Sequence, residues 1–359
     1  MKLNKFIRAF CAIFVIMLFF TNVENVNFSI KSSLLFCVNS LIPSIFIFMI
    51  ICSFFLYSSV FSDIFALLPK RLFSILGICK KYASHIFLCS FCGFINGPKV
   101  ICEDYRKNGG NEREFSNAII LSSNAGIGFL VGFLGARLWG SSSYGVYLFF
   151  TQLFSSVILG RLLLKHDKED ETASPNESIK LSFSSAFSRA VTSSALTMLS
   201  ICAFVVFFSS LSSILLNLMQ IPENSTVGNI LSIVLEFSKG SLSSVAFKNV
   251  DMCAFFSGFC IGFGGLCVHF QTFAICDTLP LNKRLFFTFK LLHGILCGIC
   301  SLIYVRIFHL EPSRDAFSYT EPAILTKIST TLLVLFTIVI TVRFIIKFFS
   351  KKCIDFSQE

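Results

Sequence analysis

Apolar runs close to the twenty or so residues needed to cross a bilayer alternate with short polar stretches along most of this chain. The pattern predicts membrane spans at about 6–22, 41–57, 116–136, 144–164, 195–218, 252–278, 285–308 and 323–346. Two further segments, 83–101 and 228–248, hold too many polar residues for ordinary spans and read as re-entrant hairpins that enter and leave on one side. Serine-bearing amphipathic leads, 28–40 and 182–194, precede the second span and the fifth, and Pro43 is expected to interrupt the helix it lies in. Residues 61–82, with Lys70, Arg71, Lys80 and Lys81 among apolar residues, read as interfacial and cytoplasmic.

Composition agrees with the pattern. The chain is 54% hydrophobic and 14% charged, with 46 phenylalanines among 359 residues; a soluble domain carries about 25% charged residues. Mean hydropathy is +0.77. An outer-membrane barrel would show short alternating strands instead. The fold class expected is an all-α polytopic membrane protein with roughly eight spans plus the two hairpins.

The net charge of +10 does not imply nucleic acid, because the basic residues sit in short loops between apolar runs. With the N-terminus inside and both hairpins re-entrant, most basic residues fall on the cytoplasmic side. Lys31, Arg137 and Arg314 are left outside. A full crossing at 83–101 would instead carry the linker after residue 164 to the outer side. Lys2, Lys5 and Arg8 before the first apolar run look like a signal-peptide start. The run ends in FFTNVENVN without a small-x-small cleavage site, so an uncleaved helix is expected.

The same reading divides the chain into an N-terminal membrane helix (1–28), a first unit (29–164), a polar cytoplasmic linker (165–181), a second unit (182–308) and a C-terminal helix with a basic tail (309–359). Both units run amphipathic lead, helix, hairpin, span, span, and their leading helices cross in opposite directions. Two inverted-topology repeats are a common plan of secondary transporters, with the solute site at the repeat interface near mid-membrane.

Candidate solute contacts follow from polar residues and glycines inside the apolar stretches. Lys99 stands beside Asn96, Gly97 and Pro98 at the end of the first hairpin. Its charge suits an anionic solute, and a snorkelling role is equally open. Ser122, Ser123 and Asn124 open a span, with Gly126 and Gly128 next. A helix broken there would free backbone N–H groups for a carboxylate, against interhelical hydrogen bonding as the plainer role. Glu236, Ser238, Lys239 and Gly240 mark the second hairpin. Glu236 could pair with Lys239 or carry a coupling proton. Gly258, Gly262, Gly264 and Gly265 lead to His269 and Gln271 in one span. His269 suits proton coupling or carboxylate binding, against a satisfied buried histidine.

Four GxxxG spacings, starting at Gly93, Gly128, Gly258 and Gly294, point to close helix packing. The 15 cysteines include Cys89-x2-Cys92 and Cys297-x2-Cys300. Both pairs lie in apolar segments, where a thiol acts as a small apolar group, so neither metal nor cofactor is expected. No nucleotide loop, zincin motif or catalytic triad spacing occurs, and the chain reads as a non-enzyme.

The order SFCGFINGPK, LSSNAGIGFLVG, LEFSKGSLSS and FSGFCIGFGGLCVHFQ resembles the sporulation integral membrane protein YlbJ family, within the nucleoside-recognition Gate domain group, over about residues 30–310. The most specific piece, SGFCIGFGGLCVHFQ, is similar to the family's glycine-rich SGFGGLSVxAQ-type segment and points to Gly264, Gly265, His269 and Gln271. LEFSKG is similar to a Glu-x-Thr-x-Gly pattern, giving Glu236 and Gly240, with Ser238 in place of threonine. The family's Ser-Gly-Tyr-Pro-x-Gly-Ala-Lys stands here as Cys92-Gly93-Phe94-Ile95-Asn96-Gly97-Pro98-Lys99, and its Ser-Asn-Pro as Ser123-Asn124-Ala125. The resemblance makes 29–164 and 182–308 Gate-like repeats. It implies the mother-cell-derived outer forespore membrane of a spore-forming bacterium and transport of dipicolinic acid, a planar dianion. The expected partners are then the lipid bilayer, a small anionic solute and a coupling proton or cation; homo-oligomerisation is left open. A nucleoside or nucleobase transporter and a non-transporting scaffold of a sporulation complex are the alternatives.

Overall fold

The computed structural model of the chain describes residue 13 and residues 16–58, 77–165 and 182–313. Most of the expected first helix before Ile16, the greater part of the interfacial segment, the linker, the last helix and the basic tail lie outside the described residues. Every regular element among the described residues is a helix. In order they are α1 (Val23–Tyr57), α2 (Lys80–Cys92), α3 (Asn96–Asn108), α4 (Glu112–Ser122), α5 (Phe129–Leu138, π-helical), α6 (Ser142–Leu163), α7 (Phe183–Leu218), α8 (Thr226–Leu235), α9 (Phe237–Ser244), α10 (Val250–Phe263), α11 (Gly265–Ile275) and α12 (Lys283–Phe308). Five helical stretches among the described residues are long and apolar enough to cross a bilayer: α1, α6, α7, the α10–α11 pair and α12. The protein is therefore an α-helical, multi-pass membrane protein. Its outward faces carry large apolar side chains such as Phe154, Leu162, Leu199 and Ile303, which hydrocarbon rather than water would cover.

The interruption expected at Pro43 is absent. Pro43 does not break its helix; α1 runs unbroken for 35 residues. A π turn at Cys37–Leu41 precedes the proline, which sits in the first turn of the α-helical part that follows. Proline removes the N–H that would bond the carbonyl four residues back, here that of Asn39. Arg137 of α5 supplies the missing donor: its Nη1 donates to Asn39 O at 3.3 Å and to Ser40 Oγ at 2.9 Å. Ser44 Oγ donates to Ser40 O at 2.6 Å. The serine-rich run 182–194 is likewise continuous with the span after it, forming the 36-residue α7.

The long helices α1 and α7 lie along each other. On the other side α10 packs against α12, with α6 beside α12 and α5 beside α6. The α10–α12 seam is built of glycine. A Cβ on Gly258 would lie 2.3 Å from Cys297 O, one on Gly262 2.6 Å from His293 O, and one on Gly294 3.0 Å from Phe259 O. Two of the four GxxxG spacings thus meet each other in one interface, letting backbones touch. The Gly128 spacing does not make a helix seam: Gly128 abuts the Phe48 ring, and nothing lies within 4 Å of where a Gly132 Cβ would stand. Tyr82, Ile101, Phe115, Ile119, Phe286 and Phe289 form a buried apolar cluster joining α2, α3, α4 and α12.

Candidate functional site

Four places where a helix stops inside the protein come together. The first is Gly93–Ile95, between α2 and α3, where Gly93 has φ +95°. The second is Ser123–Gly126, after α4. The third is Glu236, between α8 and α9. The fourth is Gly264, φ +79°, between α10 and α11, with Gly265 at φ +71° beginning α11. Positive φ is open to glycine at little cost and strained for other residues. The breaks touch in pairs. A Cβ on Gly126 would stand 3.1 Å from Gly93 N, and one on Gly265 3.0 Å from Phe237 N and 3.2 Å from Glu236 C. Phe94 links the pairs: its ring edge is 3.1 Å from where a Gly264 Cβ would be, and it meets the Phe237 ring edge-on at 4.9 Å.

A cavity lies where the breaks meet. Its walls are mostly aromatic and aliphatic: Phe48, Phe91, Phe94, Phe129 and Phe237, with Ile45 and Met49 of α1 and Ile201 and Val205 of α7. Polar groups enter the lining through Asn96, Thr197, Glu236, Ser238 and Gln271. An apolar cleft with a few convergent polar groups is the common form of a small-molecule site. No lysine, arginine or histidine is among the described lining residues.

The sequence-predicted residues fall into three sets. Asn96, Glu236, Ser238 and Gln271 line the cavity. Asn96 is tied back by its own side chain, Nδ2 donating to Cys92 O at 3.1 Å. Glu236 does not pair with the Lys239 side chain. Its carboxylate accepts the backbone N–H groups of Ser238 (2.9 Å) and Lys239 and so caps α9. An acidic group is favourable at that positive helix end. Gly264 and Gly265 form the α10–α11 break beside the lining, Gly97 brings α3 against Ser122, and Gly240 brings α9 against Ile233.

Ser123 and Asn124 form the second set, behind the cavity rather than in its wall. Asn124 Nδ2 donates to Leu121 O at 2.7 Å and to Ser90 Oγ at 3.2 Å. Ser123 is fully buried, and its hydroxyl has no hydrogen-bond partner.

Lys99 and His269 are the third set, away from the lining. Lys99 Nζ donates to Ser193 Oγ of α7 at 2.9 Å. His269 Nδ1–H donates to Gly265 O at 2.8 Å, its ring packs among Phe263, Phe273, Phe286 and Phe287, and its Nε2 is buried without a partner.

Sequence reasoning passed over Gln152 and Lys290. Gln152 of α6 is fully buried and holds the Ser123–Gly126 break through Ala125. Lys290 of α12 is 1% exposed, and its Nζ donates to Ser123 O. The readable signal was an ionisable residue well inside an apolar span. His293, one turn further on, donates from Nε2 to Gln152 O at 2.9 Å. Among the described residues no group of three or more histidines, cysteines and carboxylates could hold a metal ion.

Compared with protein-family models, curated proteins and solved structures, the chain gives no significant match.

Proposed function

We propose that the protein is a secondary transporter of a small planar organic anion, of which dipicolinic acid is the type, and that the solute sits in the cavity where the four helix breaks meet. The cavity carries this reading. Interrupted helices at membrane depth are tolerated only where protein or water covers the freed backbone, and transporters place solute at such breaks. The phenylalanine walls suit the faces of an aromatic ring. The starts of α3 and α11 have no side-chain cap, which leaves positive helix ends near Asn96 and Gly265 to meet a carboxylate. Glu236 caps the N-terminus of α9, whose positive end offsets part of its charge.

Two repeats related by inverted topology would account for the order of elements. A long helix, a helix pair broken at Gly93, a second break at Ser123–Gly126 and the span α6 make up 29–164. A long helix, a pair broken at Glu236, a second break at Gly264 and the span α12 make up 182–308. In this reading α2–α3 and α8–α9 are the re-entrant hairpins, and alternating access rocks one repeat against the other. The YlbJ resemblance would place the protein in the outer forespore membrane.

One observation favours a second solute class. The described lining holds a carboxylate and no basic side chain, which suits the donors of a nucleoside or nucleobase better than a second negative charge.

The test is uptake of radiolabelled dipicolinate into proteoliposomes, with unlabelled dicarboxylates and nucleosides as competitors. Specific uptake, competed by aromatic dicarboxylates and lost in Asn96→Ala and Gln271→Ala, is the result expected. Uptake of nucleosides alone would select the second class. No uptake of either by well-inserted protein would reject transport in favour of a scaffold.

A further inference from the structure

Where α4 ends, the last carbonyls of the helix lose their partners further along the chain and form its negative pole. Both polar groups of Ala125 are engaged by Gln152. Two oxygens of the break, Ser123 O and the side-chain Asn124 Oδ1, face α12. The ammonium of Lys290 donates to the first and stands 3.5 Å from the second. It also lies 5.9 Å from the centre of the Phe94 ring and 6.0 Å from that of Phe289.

A snorkelling lysine keeps its ammonium at the water boundary. Lys290 is instead 1% exposed, a full two turns inside α12. Nor is it one half of a buried ion pair: among the described residues no carboxylate lies within 4.0 Å of its Nζ. Its surroundings are a backbone carbonyl, an amide oxygen, a helix C-terminus and two aromatic faces. These groups attract a monovalent cation through oxygen lone pairs and ring quadrupoles. The unwound carbonyls and C-terminal ends of broken helices coordinate coupling cations in transporters.

The geometry points to a monovalent-cation seat at the Ser123–Gly126 break that the chain fills with the ammonium of its own Lys290. A tethered cation needs no free ion, so the break stays closed whatever the sodium or potassium level.

Full-length protein in detergent is melted in sodium, potassium, ammonium or choline chloride at matched ionic strength, followed by the fluorescence of Trp139, the single tryptophan. Wild type should give one unfolding midpoint in all four salts. Lys290→Ala opens room for an ion. Its midpoint should fall in choline and rise saturably with ammonium or sodium, as for any ligand that binds only the folded state. Lys290→Met refills the space without charge, so its midpoint should fall and stay low in every salt. A Lys290→Ala midpoint that ignores the cation, or a Lys290→Met protein as stable as wild type, overturns the proposal. So does a Lys290→Ala protein that cannot be recovered in any salt while Lys290→Met folds normally.

Discussion

Gln152 grips Ala125 by both of its backbone groups. Its Oε1 accepts the Ala125 N–H at 3.1 Å, and its Nε2 donates to Ala125 O at 2.7 Å. A chain leaving a helix inside a membrane protein has polar groups that water cannot reach, and one amide side chain reproduces the pairing they have lost. Gln152→Leu should orphan both groups. At about 1–3 kcal/mol for each buried unsatisfied group, it should be among the most destabilising single substitutions outside the glycine seam. Gln152→Glu, kept neutral by full burial, retains an acceptor and an O–H donor in poorer geometry, so it should fall between Leu and wild type. Melting of the purified variants checks the order; a Leu variant as stable as wild type would remove the clamp from the account.

Gly265 and Gly132 make a matched pair of tests. Gly265 has φ +71°, and a Cβ there would press to 3.0 Å of Phe237 N, a backbone atom that cannot swing aside. Gly132 has open space where its Cβ would go. Gly265→Ala should cost at least about 1–2 kcal/mol from the left-handed backbone alone and should separate the Glu236 break from the Gly264 break. Gly132→Ala should be neutral or slightly stabilising. Midpoints measured side by side would show it, and equal losses in the two would mean that the breaks do not depend on close contact.

Between α10 and α12 the backbones themselves touch, so the same substitution should do more harm there. A Cβ on Gly258 would fall 2.3 Å from Cys297 O, far inside contact distance. Gly258→Ala must push the helices apart and should cost more than the roughly 1–3 kcal/mol typical of overpacking. The expected readout is loss of folded protein on size exclusion in detergent, while the exposed-face control Ile303→Ala stays monodisperse.

Much of the architecture was legible because a bilayer asks for long apolar runs, and such runs stand out in any window. The breaks were legible too, where chemistry concentrates in sequence: Ser122-Ser123-Asn124 and the glycines up to Gly265 lie at interruptions seen in the fold. What was not legible depended on partners far away in sequence. Pro43 looks like a helix breaker until Arg137, on another helix, supplies the donor that proline lacks. Gln152 and Lys290 each stand alone in an apolar span, and their roles appear only when α6 and α12 are laid against the Ala125 break. Lys99 and His269 were conspicuous by type. Local periodicity says little about which way a side chain turns, and these two turn toward Ser193 and Gly265 rather than the cavity.

Glu236 separates a structural from a transporting role most cleanly. As a helix cap it needs only an acceptor: both carboxylate oxygens take backbone N–H groups of the next turn. As part of the cavity wall it also presents its outer lone pairs and its charge to whatever occupies the cavity. Glu236→Gln keeps one oxygen acceptor and the shape, so it should lose about 0.5–2 kcal/mol, the usual range for a weakened cap. Glu236→Ala should lose more. If the charge takes part in coupling or in solute contact, Glu236→Gln will fold and insert but will not transport, and Glu236→Asp will keep partial uptake at the same protein level. Uptake by Glu236→Gln equal to wild type would reduce Glu236 to the capping of α9 and shift solute recognition to the four amide and hydroxyl side chains Asn96, Thr197, Ser238 and Gln271, which line the cavity beside it.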